Sequence, residues 1–282
     1  MGNLKTPDFL ENLKLRKLNF SSGVVGVEIG SDWLKIGQKD RSRSGKAVYR
    51  VHLLKLALIK ESAASAIAES FQLLKFNKQY VVACIPRHLV TVRMLDLPAT
   101  DPKEISDMID LQVGKQTPYA KEEIVFAHRI VETGATGYTK VMLAIVARNI
   151  VSERMEALAK AGLTVKSVTI SSEGVCNWFR AAYLAEMPSP SPQAILLVDV
   201  DSNYSDFIVM RKGKMVFTRN ILIGANHLTQ ETAGWREKFL DELKRSLERY
   251  QAAEKHSEIV KAYLSGSGPN IQGLDGALRT AL

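Results

Sequence analysis

Two short segments far apart in the chain share one pattern: an apolar strand that ends in an acidic residue and a turn. The first runs from Val24 to Ser31, and the second runs from Ile195 to Asn203, about 170 residues later. Continuous runs of β-branched and other apolar residues are typical of buried strands, and small or polar turn formers follow each run at once. Such turns present backbone N–H groups and a carboxylate, which suit a phosphate chain and Mg²⁺. Two of them predict two facing halves that hold one ligand.

This pair of turns resembles the actin-like ATPase superfamily, and further segments narrow the resemblance to the PilM family of type IV pilus assembly proteins. Gly26–Lys35 is similar to the opening motif of that family. The other matching segments follow in the family's order: Val92–Pro98, Gln116–Tyr119, Val141–Arg148, Ala161–Leu163, Thr218–Gly224 and Glu242–Tyr250. The resemblance covers most of residues 23–276. It implies an α/β, actin-like (ribonuclease H-like) two-lobe fold with an inserted β-α-β-β-α subdomain and a reduced second lobe.

The composition sets the broad class of protein. With 282 residues, of which 46% are hydrophobic, the chain can bury a sizeable core. Apolar runs such as Ala194–Val198 are too short to cross a bilayer, and the first residues lack the pattern of a signal peptide, so we predict a cytoplasmic protein. The net charge of +8 comes largely from scattered Lys and Arg without interleaved aromatic residues, which argues against nucleic-acid binding.

The order of predicted elements divides the chain into five parts. Residues 1–20 form an N-terminal arm, in which Leu10, Leu13 and Leu18 could share one helix face. The other parts are a first lobe (21–86 and 166–187), the inserted subdomain (87–165), a proline-rich linker (188–192) and the reduced second lobe (193–282).

Capping signals predict two helices in the inserted subdomain. Asp101, Pro102 and Glu104 have the residue types expected at the N-cap and at the first and third positions of a helix. A second helix over Val151–Lys160 is expected to end at Gly162 in a left-handed C-cap. Strands are predicted at about Leu89–Leu95, Ile124–Glu132 and Lys140–Ala147.

The family resemblance implies where ATP and Mg²⁺ would bind. In the first turn Glu28, Gly30 and Ser31 match residues that surround the phosphates, and Lys35 matches a lysine that neutralises charge. The remaining matches are Asp199, Asp201 and Ser202 in the second turn and Gly266 and Gly268 in a later glycine-rich turn. No catalytic residue and no separate metal site is predicted.

Four departures from the family pattern predict a degenerate nucleotide site. Glu28 stands where Asp is usual, and Asp201 stands where the family has Gly, which places a negative charge towards the phosphates. Ser267 and Pro269 alter the glycine-rich turn. Only the 12 residues 230–241 occupy the place of a whole subdomain that grips the nucleoside in the family. We therefore predict an actin-like fold that has lost much of its nucleotide clamp.

A scaffold function follows from the resemblance. PilM proteins lie at the cytoplasmic face of the inner membrane and bind the N-terminal cytoplasmic tail of the membrane protein PilN in a groove beside the inserted subdomain. We expect the same of this chain, in a type IV pilus or related secretion platform, with membrane association through partners and with other platform or motor components as further partners. Two alternatives stay open: an active ATPase that gates assembly, with Asp199 positioning water and metal, and an FtsA-like or GspL-like component of a membrane complex.

Overall fold

The computed structural model describes residues 23–41, 47–59, 62–183, 193–229, 234–254 and 257–281. The predicted N-terminal arm (1–20) and proline-rich linker (188–192) lie outside the described residues. The chain divides into two compact units, Met1–Ser171 and Ser172–Leu282.

The described residues form twelve strands and seven α-helices, besides short 3-10 turns. The strands are β1 (Val25–Ile29), β2 (Trp33–Arg41), β3 (Ala47–Lys55), β4 (Val81–Ile85), β5 (Val90–Leu97), β6 (Ile124–Thr133), β7 (Thr139–Ala147), β8 (Val165–Ile170), β9 (Ala194–Val200), β10 (Ser205–Arg211), β11 (Lys214–Ile221) and β12 (Ile259–Gly266). The helices are α1 (Ala63–Leu73), α2 (Pro102–Gln112), α3 (Arg148–Lys160), α4 (Ser171–Tyr183), α5 (Ala225–Leu228), α6 (Trp235–Ala253) and α7 (Leu274–Ala281). None of these helices is long and apolar enough to span a membrane.

A five-stranded sheet with the order β3-β2-β1-β4-β8 forms the base of the first unit. β1, β2 and β3 are antiparallel neighbours, whereas β4 is parallel to both β1 and β8. The parallel strands β1 and β4 are rich in Val and Ile, as expected of strands that are buried in the middle of a sheet. Ile67 and Phe71 of α1 are also buried, one helical turn apart.

The inserted subdomain has the predicted β-α-β-β-α order, formed by β5, α2, β6, β7 and α3. Its three-stranded antiparallel sheet has the order β5-β7-β6, so β7 is central and β6 lies at an edge. Ile105 and Ile109 of α2, and Val113 directly after it, pack in one buried cluster with residues of β7. α3 begins at Arg148, three residues before the predicted start, because β7 leads directly into it and Arg148 donates hydrogen bonds to the carbonyls of Glu122 and Ile124.

The second unit contains a four-stranded sheet with the order β11-β10-β9-β12, in which β9 and β12 are parallel. It also includes α4, which the sequence groups with the first lobe. Two contacts hold α4 to this unit: the ring of Phe179 packs against Tyr263 of β12 at 4.8 Å, and Arg180 donates a hydrogen bond to the Gly213 carbonyl at 3.0 Å. α6 lies on the same sheet, where the ring of Tyr250 is 5.7 Å from that of Phe217.

Candidate functional site

The first candidate turn, between β1 and β2, is closed by its own hydrogen bond. The Gly30 N–H donates to the Trp33 carbonyl at 2.9 Å, and a Cβ at Gly30 would lie 3.0 Å from the same oxygen. Glu28 pairs with Lys35 across the hairpin, and their charged groups are 2.9 Å apart. The Glu28 side chain is only 12% exposed. Ser31 is exposed at the tip of the turn. The structure therefore brings together the four residues that the sequence assigns to this turn.

Two further residues lie beside this turn, and no pattern in the sequence predicts their position there. Cys84 lies directly opposite Glu28 on β4. Burial, followed by the negative charge of Glu28, raises the pKa of its thiol to about 12, although Lys35 acts in the opposite direction. Arg154 of α3 donates a hydrogen bond of 3.4 Å to the Ile29 carbonyl. Burial lowers the pKa of Arg154, against the opposing effect of the nearby acidic side chains.

The second candidate turn, between β9 and β10, is also bonded internally. The Asp201 N–H donates to the Tyr204 carbonyl at 2.9 Å, and the Ser202 N–H donates to the Asp201 carboxylate at 2.8 Å. The Asp201 carbonyl accepts a hydrogen bond from the Ala225 N–H at 2.7 Å. A Cβ at Gly224 would overlap this carbonyl. The Asp201 carboxylate therefore caps its own turn, and Gly224 is needed for the close approach of the chain.

Asp199 and the glycine-rich turn meet at the ends of two parallel strands. Asp199 is in register with Ser265, whose hydroxyl donates a hydrogen bond of 2.6 Å to the Asp199 carboxylate. Gly266 has a φ of +64°, and a Cβ there would overlap the Val200 carbonyl. Gly268 is buried, and a Cβ there would lie 3.2 Å from side-chain carbons of Leu264 and Val200. Close packing against β9 and β12 is therefore enough to explain why glycine occupies both positions.

These arrangements fit Mg-ATP poorly. In the family, backbone N–H groups of the turns bind the phosphates, but the N–H groups of Gly30, Asp201 and Ser202 donate within the protein. The Ser267 N–H likewise donates to the Val200 carbonyl at 2.8 Å. Each of these bonds would have to break before the group could bind phosphate.

Two family segments in the second unit meet in an ion-pair network. Arg219 of β11 and Arg245 of α6 both bind the Glu242 carboxylate, at 2.8 and 2.7 Å. Burial alone would raise the pKa of Glu242, but the hydrogen bonds and charges of the two arginines outweigh it, and the pKa is lowered. This network lines a cavity of about 470 Å³ beside Leu222 and Lys238. The pair of Arg219 and Glu242 attaches α6 to the sheet, whereas Arg245 lies on α6 itself.

A narrow apolar groove with a volume of about 30 Å³ lies in the first unit between the inserted subdomain and the five-stranded sheet, and most of its lining residues are buried. β6 contributes Val125, Phe126 and Ala127 to the groove, and β8 contributes three residues, 168–170. The other lining residues are Ile85, Ala144, Val146 and Val151. β6 and β8 are edge strands of their respective sheets. The family resemblance implies a groove beside this subdomain, but no sequence pattern identifies its residues, because they come from four separate segments.

Comparisons with known proteins agree with this architecture. The family model of the type IV pilus assembly protein PilM matches residues 59–235. A solved structure of a PilM-PilN type IV pilus biogenesis complex is similar to this chain with a TM-score of 0.74 and 19% identity, covering 92% of this chain and 86% of that chain. The cytoplasmic domain of EpsL from Vibrio cholerae, an inner-membrane component of the type II secretion system, has a TM-score of 0.52 and 11% identity, covering 86% of each chain. A Bacteroides thetaiotaomicron protein with an actin-like ATPase fold also has a TM-score of 0.52 and 11% identity, covering 94% of this chain and 91% of that chain. The predicted actin-like fold is confirmed.

Proposed function

This chain belongs to the PilM family of type IV pilus assembly proteins, and we propose that it acts as a scaffold that binds the N-terminal cytoplasmic tail of a PilN-like inner-membrane protein. The match to the PilM family carries this proposal, and the narrow groove between β6 and β8 is the candidate place for the tail. The similar solved structure contains PilM together with PilN, so a partner of this kind is consistent with the fold. Binding to the tail would hold the chain at the cytoplasmic face of the inner membrane, where other platform or motor components could dock.

The edge strands of the groove suit an extended peptide. An edge strand has N–H and C=O groups directed away from its own sheet, and a peptide that adds to the edge satisfies them. Here β6 and β8 supply such edges on the two sides of the groove. Main-chain hydrogen bonds would give the affinity, and apolar side chains at alternate positions of the peptide would give the specificity.

The composition of the groove defines the expected ligand. Ala127 and Ala144 are small and buried, and the buried side chains of Val125, Val146 and Val168 lie around them, so the groove of the free chain is narrow. We therefore expect an extended tail with small apolar side chains, which widens the groove as it binds. Binding of this kind uses burial of apolar surface and backbone pairing, neither of which requires hydrolysis of a nucleotide.

We further propose that the nucleotide site is degenerate and that the chain is a pseudo-ATPase. The residues concerned are Glu28, Gly30, Ser31, Lys35, Asp199, Asp201, Ser202, Gly266 and Gly268. Support comes from the internal hydrogen bonds of both turns and from the carboxylate of Asp201, which takes the place of a family glycine. An active ATPase is the second candidate, because Asp199 retains the family acid at the end of β9.

The groove proposal is tested by titrating the full chain with a synthetic peptide of the N-terminal cytoplasmic tail of a PilN protein from the same organism. Ala127 is 9% exposed at this narrow groove, so Ala127→Phe closes it, and we expect the affinity of the folded variant to fall at least tenfold, which corresponds to about 1.4 kcal/mol. Arg93→Ala changes an exposed residue on β5, at the opposite edge of the same small sheet, and is the matched control. Unchanged affinity of a folded Ala127→Phe variant would contradict the proposal.

A second measurement leaves the protein unaltered and changes the peptide. Proline has no N–H, so a proline at a central position of the tail removes one backbone donor and disrupts pairing with an edge strand. We expect the proline-substituted peptide to bind more weakly than an alanine-substituted one. Equal affinities would show that the peptide does not add as a strand.

A further inference from the structure

The free edge of the five-stranded sheet is unusually apolar. β3 is the terminal strand of this sheet within the described part of the chain. Its residues Tyr49, Val51 and Leu53 alternate along the strand and therefore share one face, on which they are 46%, 68% and 56% exposed. Folded proteins usually protect edge strands with charges, prolines or bulges, because a long apolar edge pairs readily with another strand. The middle of this face has none of these protective features.

The backbone of the same three residues is directed outwards. The Leu56 N–H donates to the Asp32 carbonyl at 2.7 Å, which continues the β2–β3 register by one residue. Hydrogen-bonded pairs alternate with non-hydrogen-bonded pairs in an antiparallel ladder. The even-numbered residues of β3 therefore bond to β2, whereas Tyr49, Val51 and Leu53 direct their N–H and C=O groups away from it. Exposed apolar side chains and outward backbone groups thus coincide on the same residues.

We propose that this edge is a self-association site, at which β3 pairs antiparallel with β3 of a second copy of the chain. The two-fold axis passes through Val51, so that Tyr49 of each copy lies opposite Leu53 of the other copy. These pairs form six main-chain hydrogen bonds across the axis, two for each pair. They also unite six exposed apolar side chains on one face. On the other face of the strand, Val48 lies opposite the partner's Leu54, so this face also gains an apolar contact.

Charge selects this register over its neighbours. With the axis at Val51, Arg50 lies opposite the partner's His52, and the charge of Arg50 is compensated by Asp40 of its own chain at 2.9 Å. A shift of the axis to residue 50 would place the two Arg50 side chains directly opposite each other, which is destabilising. A shift of the axis to residue 52 would place Tyr49 opposite the partner's Lys55 and would interrupt the apolar face. The strand is therefore self-complementary in one register.

The size of this contact indicates a weak dimer. Pairing of two strands of nine residues covers a single edge and lies at the low end of specific interfaces, which is below about 1,200 Å² of buried surface. We therefore expect a dimer that dissociates on dilution. Such an isologous contact closes after two copies, because each copy has one such edge among the residues that the structure describes.

Disulfide trapping tests the register in the full chain. In an antiparallel hydrogen-bonded pair the Cα atoms are about 5.5 Å apart, which a disulfide can span, so Val51→Cys is expected to form a covalent dimer under mild oxidation. Tyr49→Cys alone should not, because the two copies of residue 49 are about 13 Å apart along the strands. A mixture of Tyr49→Cys and Leu53→Cys chains should again cross-link. The unaltered chain, with Cys84 and Cys176, is the control.

Sedimentation velocity over a range of concentrations provides an independent measurement. The mass of the unaltered chain should rise from 31.3 kDa towards twice that value. Val51→Lys places two charges on the axis and should abolish this rise, whereas Leu73→Lys, at a residue of α1 that is 76% exposed, should leave it unchanged. A chain that stays monomeric at all concentrations, or equal cross-linking of Tyr49→Cys and Val51→Cys, would overturn the proposal.

Discussion

At the scale of single residues, the surroundings of Glu28 differ from those of a simple metal-facing carboxylate. The Glu28 side chain is mostly buried, pairs with Lys35 across the hairpin and lies opposite Cys84 on the next strand. The thiol of Cys84 responds to both charges: burial and then Glu28 raise its pKa, and Lys35 lowers it. Because thiolate is the reactive form of cysteine, the reaction rate of Cys84 reports on this pair of charges.

We expect Cys84 to react far more slowly at pH 9 than an ordinary thiol, because its pKa of about 12 leaves little thiolate. Glu28→Gln should speed the reaction by lowering this pKa, and Lys35→Met should slow it further by raising the pKa. Alkylation rates would be measured in a Cys176→Ala background, so that only one cysteine of the chain is followed. The same rate in both variants would show that these charges do not act on the thiol.

At the scale of elements, local signals predicted the helix ends well. Asp101 caps α2 as expected, since its carboxylate accepts hydrogen bonds from the N–H groups of Lys103 and Glu104 at 2.9 and 3.0 Å. Gly162 follows α3 with a φ of +75°, as a left-handed C-cap requires. Both features depend on neighbouring residues alone, so the sequence contains the information. The start of α3 was misplaced because Arg148 is fixed by carbonyls more than twenty residues away.

The candidate surfaces could not be predicted in this way, because they depend on how distant segments pair. Val125 and Val168 line one groove although 43 residues separate them in the chain. The alternation of Tyr49, Val51 and Leu53 is what a strand with one buried face would show, yet in β3 these residues are exposed. The periodicity is correct, but only the position of β3 at the end of the sheet shows that this face lacks a covering element among the described residues.

Removal of the α2 cap gives a prediction for this element. Asp101→Ala leaves two N–H groups without their side-chain acceptor, and we expect the free energy of unfolding to fall by about 1 kcal/mol. Asp107→Ala, at an exposed position within the same helix, should change it by less than about 0.5 kcal/mol. Denaturant unfolding of the full chain would measure both values. Equal effects of the two substitutions would exclude a specific role of the cap.

At the scale of the whole molecule, the two proposed protein contacts use opposite ends of one sheet. The groove lies beside β8, whereas the self-association edge is β3, and these strands are the two ends of the five-stranded sheet. Both contacts can therefore form in the same molecule. A dimer would present two grooves, and two membrane-bound tails would then hold it by avidity even if each tail binds weakly. A scaffold with this arrangement gains its strength from multiple contacts, and hydrolysis is not required.

If the nucleotide site is degenerate, Mg-ATP should not stabilise the folded chain. A ligand present at 100 times its dissociation constant stabilises the folded state by about 2.7 kcal/mol, which raises the unfolding midpoint by several degrees. Because N–H groups of both turns are bonded within the protein, we expect millimolar Mg-ATP to leave the thermal midpoint unchanged relative to Mg²⁺ alone. A clear rise that is lost in Asp199→Asn would contradict this expectation, since only a ligand held at the end of β9 depends on that carboxylate. An active ATPase would then be a better explanation of the function of this chain than a scaffold without nucleotide.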